Sequence, residues 1–494
     1  MNASDKSKEK SLRRTLGIHL TSQELFLRFI FPRIKDYLHD FIWIDLYAGE
    51  GNLILPILDF IDENKRCEYF QEHVFLSDIQ AEMVEKCVSK AMEKGIPEKL
   101  ARRNIIKRDN LASFPEFLKN KDLPLYHVTN PPYLYLGYIR KHHETRALLH
   151  YFERENKGYQ DLYQIAMMND LRNNIENLIY IIPTNFIFGA SVSNKIRLDF
   201  LKYYNIDLIY IFESKVFKHT GTNICIAFFT KKKFIGDTDI IFNGIKIKKG
   251  KASQNRQYVL KKEFKYRAGM EFFEFLQSYR SISHINVRYY LLKKDVVKNK
   301  GTVEINAIDS SEYNSNKYST RKLFVNESLA NLIKSNILYL RTVDSGSIDK
   351  RVGLSEIKQD FGVDAIYVSK NTYRTSPIHV FFNPSISKSD QLLLKKYFNF
   401  MLEYFRKKLD SEFLTTYKYS DAEYTRKYLG LTQARALIQT LPILSISQEE
   451  KYNLESSIHE KDVKSVLKLL SSHLRGKRKR SRPLSIDFWI KNEE

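Results

Sequence analysis

An asparagine, two prolines and a tyrosine stand in a row at Asn130-Pro131-Pro132-Tyr133, directly after Tyr126–Val128, which reads as the end of a buried strand. The prolines fix φ at about −65° in two successive positions, bias Asn130 and Pro131 away from α geometry and remove two N–H donors. What remains is a stiff turn of carbonyl acceptors with an amide at its start and an aromatic ring at its end. That set can grip a planar amino group: Asn130 Oδ1 and the Pro131 carbonyl accept its two N–H bonds while Tyr133 stacks on the ring. An ordinary strand-ending turn can carry the same residues.

The residues that could serve such a turn lie upstream. Trp43-Ile-Asp-Leu-Tyr-Ala-Gly-Glu-Gly-Asn52 reads as a strand meeting a Gly-x-Gly turn, with a helix over Leu53–Ile61 behind it. Gly49 and Gly51 would admit a nucleotide-type ligand close to the backbone. A dinucleotide fold asks for a third glycine, and a pyrophosphate favours positive surroundings. Here Asp45 and Glu50 flank the turn and Tyr47 lies within it. Acidic flanks suit a ligand with positive charge and free hydroxyls, such as S-adenosylmethionine with its ammonium and sulfonium. Asp78 ends the next expected strand, His73–Ile79, ahead of a helix over about 81–94; its carboxylate can accept ribose hydroxyls or cap that helix. Asp109 closes Asn104–Asp109, where it could accept from an adenine amino group. Thr21 and Ser22 precede the helically spaced Gln23–Ile34. Each is a cap candidate, and a ligand contact is the sharper role.

Positioning these groups requires strands that deliver them to one edge. Beyond Tyr133 a helix opens at Asp161–Met168, and Asn177–Pro183, Ile206–Phe212 and Asn223–Phe229 are strongly apolar strands. Strands alternating with helices, and apolar nearly throughout, indicate an α/β fold with a doubly wound, mostly parallel sheet. Such sheets hold ligands beyond the carboxyl ends of their strands. Asp45, Asp78, Asp109 and Asn130 all fall at such ends.

In this order the motifs resemble those of an amino-group DNA methyltransferase, most of all the gamma-group adenine-N6 enzymes of bacterial type II restriction–modification systems. Gly17–Ser22, Asp45–Gly51, Asp78, Asp109 and Asn130–Tyr133 carry the likeness, over roughly residues 14 to 232. The resemblance implies a Rossmann-like methyltransferase sheet and S-adenosylmethionine as cofactor, held by Thr21, Asp45, Tyr47, Gly49, Glu50, Gly51, Asp78, Asp109 and Asn130. It implies an adenine flipped out of duplex DNA, with Asn130, Pro131, Pro132 and Tyr133 at the chemistry and Tyr133 and Phe217 against the base. No metal and no covalent protein nucleophile is needed. Tyr47 stands where the family often has phenylalanine. Ala166 stands where some relatives place a phenylalanine beside the cofactor adenine, so no contact is carried over there. Cytosine-N4, RNA-base and protein-glutamine methylation use the same motif. A non-catalytic DNA-binding protein on this fold is the reading from another class.

Composition bounds the rest. The chain has 494 residues, 43% hydrophobic and 13% aromatic, enough for two or three cored domains. A net charge of +22 points to a polyanionic partner, duplex DNA first. No apolar run approaches a membrane span, and the charged N-terminus has no apolar signal region behind it. Cys67, Cys87 and Cys225 form neither a disulfide framework nor a zinc site. A cytoplasmic monomer is expected, paired in function with a separate restriction endonuclease. The expected divisions are a basic tail (1–13), a catalytic domain (14–235), a basic linker (236–260) and a mixed α+β target recognition domain (261–494). In the last, Lys261–Arg267, Val287–Tyr290, Lys317–Lys322 and Tyr373–Ser376 interleave basic and aromatic residues and suit a phosphate surface. Leu392–Phe405 reads as an amphipathic core helix. Lys477–Arg482 is a cationic run near the end.

Overall fold

The computed structural model describes residues 21–189, 191–213, 216, 223–248, 253–314, 317–344, 351–370, 377–416 and 427–474. The basic tail, Gly17–Leu20, Phe217, Tyr373–Ser376 and Lys477–Arg482 lie outside the described residues. Contacts divide the chain into two compact units, with the boundary between Ala268 and Gly269.

The first unit is built on a nine-stranded sheet: β1 (Ile42–Asp45), β2 (Val74–Asp78), β3 (Ile105–Lys107), β4 (Leu125–Thr129), β5 (Asn177–Pro183), β6 (Tyr204–Phe212), β7 (Ile224–Lys231), β8 (Ile240–Ile247) and β9 (Gln254–Leu260). Their spatial order is β3-β2-β1-β4-β5-β7-β6-β8-β9. Five pairings are parallel, and β7 and β9 run antiparallel to their neighbours. Strands β1 and β2 are buried along their whole length, and so is β5 past its first residue. That burial is why they read as unbroken apolar runs rather than alternating ones.

Helices follow the expected alternation. Helix α1 (Ala81–Glu93) buries Met83, Val84, Cys87, Val88 and Ala91, spaced three or four residues apart to make one stripe. Helix α2 (Leu162–Arg172) buries nearly every residue from Leu162 to Asp170. In α3 (Ser191–Phe200) the buried Arg197 donates to the carbonyls of Phe186, Gly189 and Lys265. The segment after β5 is thereby pinned. The Gln23–Ile34 helix forms with a π turn over Phe26–Ile30. The helix expected over Leu53–Ile61 is instead a 3₁₀ segment, Leu55–Phe60, with Pro56 in its first turn.

The linker expected at 236–260 is a correction. Those residues form β8, hydrogen-bonded parallel to β6, and β9, antiparallel to β8. Alternation along β8 buries Ile240, Phe242 and Gly244, while Ile241 and Asn243 are exposed. The lysines that follow it, Lys248, Lys249 and Lys251, hide that period-2 signal behind charge. The segment Lys261–Arg267 likewise belongs to the first unit. Tyr266 is fully buried there, and Arg267 donates to the Phe188 carbonyl.

The second unit contains two four-stranded sheets. Strands β10 (Asn286–Tyr289), β14 (Leu338–Arg341), β15 (Gly353–Glu356) and β17 (Ile378–Asn383) pair antiparallel in the order β10-β17-β14-β15. Strands β11 (Leu291–Leu292), β12 (Lys300–Asn314), β13 (Lys317–Val325) and β16 (Ala365–Val368) form the mixed sheet β11-β16-β12-β13. Helix α4 (Lys388–Leu409) contains the expected amphipathic stretch and buries Leu394, Tyr397, Phe398, Met401, Leu402 and Phe405. Its apolar face is core. Among the described residues no helix is long and apolar enough to cross a membrane.

If β8 is structural, Phe242→Ala should destabilise the first unit. Phe242 is buried against Tyr258, with ring centroids 5.2 Å apart. Truncation there should cost about 3–5 kcal/mol in chemical denaturation. A change within about 0.5 kcal/mol, as for a solvated linker, would contradict the pairing.

Candidate active site

The chain enters the sheet at β1, runs outward through β2 and β3, then crosses back to β4 on the other side of β1. Connections from β1 and β4 therefore part in opposite directions and leave a crevice at their carboxyl ends, the usual ligand position in such sheets. The glycine turn leaves β1 at this point, and Asn130-Pro-Pro-Tyr leaves β4 beside it.

The turn needs its glycines. Gly49 has φ +53° and Gly51 φ +79°, a region that costs residues with a Cβ. A Cβ on Gly51 would lie 2.6 Å from Leu55 Cδ1 and 2.7 Å from Cys87 Sγ. The Gly51 N–H closes the turn onto the Ala48 carbonyl at 2.8 Å. Tyr47 is half-buried, its hydroxyl 3.4 Å from the Asn110 carbonyl.

Two carboxylates hold this turn in place. Asp45 Oδ1 accepts from the Tyr47 N–H (3.0 Å) and the Thr129 hydroxyl (2.6 Å). Asp78 accepts from the Gly49 N–H through Oδ2 and from the Gln80 N–H through Oδ1, both at 2.9 Å. The helix cap weighed for Asp78 is therefore not its role. Burial pushes the Asp45 carboxyl up to about 6, against the opposing pull of His127, Thr129 and the Tyr47 N–H. Burial also raises Asp78 above the usual carboxylate range. N–H and hydroxyl donors, not cations, hold both groups.

Glu50 differs from expectation. It pairs with Lys90 at 2.7 Å, and Lys90 also donates to Asn52 Oδ1, so the acidic flank is half neutralised. Asp109 is engaged on both oxygens. Oδ1 accepts from the N–H groups of Leu111 and Ala112, and Oδ2 from the Tyr151 hydroxyl at 2.6 Å.

Thr21 is not a helix cap in this structure; Ser22 holds the cap position, without a side-chain bond. Thr21 is buried and joins the two turns. Its carbonyl accepts from Asn52 Nδ2 (2.8 Å), and its hydroxyl oxygen accepts from Asn130 Nδ2 (2.9 Å). The Tyr133 hydroxyl contacts both Asn130 Oδ1 and the Ile181 carbonyl. A phenol has one proton, so it donates to one of these acceptors at a time. Pro131 is buried and Pro132 half-buried. Tyr133 is only 9% exposed and meets Tyr163 edge-on at 6.4 Å. Its ring is thus not presented as an open stacking face, contrary to expectation.

Two groups escaped the sequence reading. Asn110 is buried, with Nδ2 donating to the Leu46 carbonyl (2.6 Å) and Ser77 Oγ (2.9 Å), while its Oδ1 has no partner. His127, within β4, is fully buried and bonded to Asp170 at 2.6 Å. A histidine inside an apolar strand three residues before Asn130 was the available signal.

The site fits a cationic nucleoside ligand in two ways: two buried carboxyls held by N–H and hydroxyl donors, and a buried amide oxygen, Asn110 Oδ1, with no hydrogen-bond partner. Gly51→Ala should abolish cofactor binding in titration calorimetry; unchanged affinity would remove the turn from the site. The Asp45 shift also fixes a pH dependence. A carboxyl raised from 3.8 to about 6 on folding contributes stability below about pH 4 that is lost as pH rises through 6. That loss is about 3 kcal/mol. Asp45→Asn should abolish this slope in urea denaturation and be the more stable form at pH 7. An unchanged slope would show that Asp45 is not its source.

A family model described as N-6 DNA Methylase matches residues 24–333, more than half of the chain. No curated protein matches the sequence. Among solved structures, the type IIL restriction-modification enzyme MmeI in complex with DNA is similar, with a TM-score of 0.53 and 11% identity over 99% of this chain and 79% of that one. The likeness is one of fold. A type I modification subunit from Vibrio vulnificus matches at 15% identity and a TM-score of 0.35 over 51% of this chain. This chain spans 54% of that subunit's length, and 20% of the type ISP enzyme LlaBIII.

Proposed function

The chain belongs to the N-6 DNA methylase family, and from that premise we propose that it transfers a methyl group from S-adenosylmethionine to N6 of an adenine flipped out of duplex DNA. The observation that carries the reading is the bracket at Thr21, which ties the glycine turn through Asn52 and the amine-gripping turn through Asn130. Cofactor and target would then meet across one fixed junction.

When bound, S-adenosylmethionine supplies a methyl group made electrophilic by its sulfonium. Asp45 and Asp78 would face its positive charge and hydroxyls, on a turn whose left-handed backbone Gly49 and Gly51 permit. An exocyclic amine is a poor nucleophile because its lone pair is delocalised into the ring. Asn130 Oδ1 and the Pro131 carbonyl would accept its two N–H bonds and draw the lone pair out of conjugation, so catalysis is mainly positioning and electrostatics. Asn130 Oδ1 is released from Tyr133 when that hydroxyl turns its proton to Ile181. Tyr133 would leave its buried seat to stack on the base, with Phe217 as the second face. The net charge of +22 supports duplex DNA as the polymer. We place the molecule in the cytoplasm as a monomer working beside a separate restriction endonuclease. The family's chemistry supports adenine over cytosine-N4, and the gamma grouping rests on motif order.

Expression in a methylation-free host, followed by long-read mapping of modified bases, returns the base, atom and sequence context together. N6-methyladenine at one recurring sequence is expected; unmodified DNA would overturn the reading. Asn130→Ala should lower methyl transfer by about a hundredfold to a thousandfold while leaving duplex affinity within about twofold in a gel-shift titration. Near-normal turnover would remove Asn130 from the mechanism.

A further inference from the structure

Ladder pairing of β1 stops at Asp45, yet the next peptide is the one from which the glycine turn departs. A backbone group leaving a sheet in a buried position must find another partner. Leu46 is buried, and side chains from β4 and from the loop beyond β3 catch both of its polar groups. Its N–H donates to His127 Nε2 of β4 at 3.2 Å, and its carbonyl accepts from Asn110 Nδ2, beyond β3, at 2.6 Å.

The tautomer of His127 follows from its partners. Nε2 must offer a lone pair to the Leu46 N–H, so Nδ1 carries the proton and donates to Asp170 Oδ2 at 2.6 Å. Asp170, on α2, also accepts from the Tyr180 hydroxyl of β5. The residue before it, Asn169, donates through Nδ2 to the carbonyls of Asn110 and Leu111, both at 3.0 Å. Adjacent residues of one helix therefore support both clamps on Leu46.

We infer that His127, oriented by Asp170, is a positioning residue that sets where the glycine turn leaves β1 and so governs cofactor affinity. It is fully buried and acts through the Leu46 N–H. The inference rests on the assignment of the glycine turn to S-adenosylmethionine.

Two conservative substitutions separate the two bonds. The amide of glutamine can place an oxygen where Nε2 lies, whereas that of asparagine reaches only the Nδ1 position. In the full-length protein, His127→Asn should raise the KM for S-adenosylmethionine roughly tenfold, as expected for a buried donor left without its acceptor. The KM for DNA and kcat at saturating cofactor should stay within about twofold. His127→Gln should bring the cofactor KM back to within about threefold of the parent, and Asp170→Asn should raise it. Equal cofactor KM values for parent and His127→Asn would overturn the inference. So would losses in cofactor KM, DNA KM and melting temperature that run in parallel and that glutamine does not relieve. Absence of cofactor binding by the parent protein would instead overturn the assignment of the site itself.

Discussion

Hydrogen-bond satisfaction at a strand end governs the arrangement of the whole crevice. Inside a parallel sheet each N–H and carbonyl is paired by its neighbour, but a strand that must open into a ligand turn abandons that pairing while still buried. Here the debt falls on Leu46, and His127 and Asn110 meet it from either side. Those two side chains in turn need β4, the β3 loop and α2 at fixed separations. The turn's position is thus a property of four elements together rather than of its own glycines.

Electrostatics at the same edge run against folding. Asp45 and Asp78 are buried with N–H and hydroxyl partners, and burial raises both. Ionised carboxylates so placed destabilise the empty protein and would be relieved by a positively charged ligand. Conflict between stability and local chemistry is common at binding sites. The Glu50–Lys90 pair differs: already neutralised, it adds little to that attraction.

The sheet and the edge were legible because they leave strong local marks. Fully buried strands give unbroken apolar runs, and carboxylates and an asparagine at four strand ends mark one rim. Three other features were not legible. Strand β8 runs directly into Lys248, Lys249 and Lys251, and that basic composition masks its alternation as a linker. Burial of Tyr133 depends on Ile181 and Tyr163, both far along the chain. The bracket at Thr21 joins residues 109 positions apart, and no local pattern announces such a pair.

The β8–β9 extension has a bearing on modularity. Strand β6 finishes its hydrogen bonding on β8, and an unpaired buried edge invites association with other chains. A graft that exchanged the second unit for a relative's at residue 235 would strip that cover and yield a sticky first unit. The seam for recombination lies after Ala268, where one compact unit gives way to the next. Laboratory chimeras face that cut site, set by backbone pairing rather than by the basic composition of the segment.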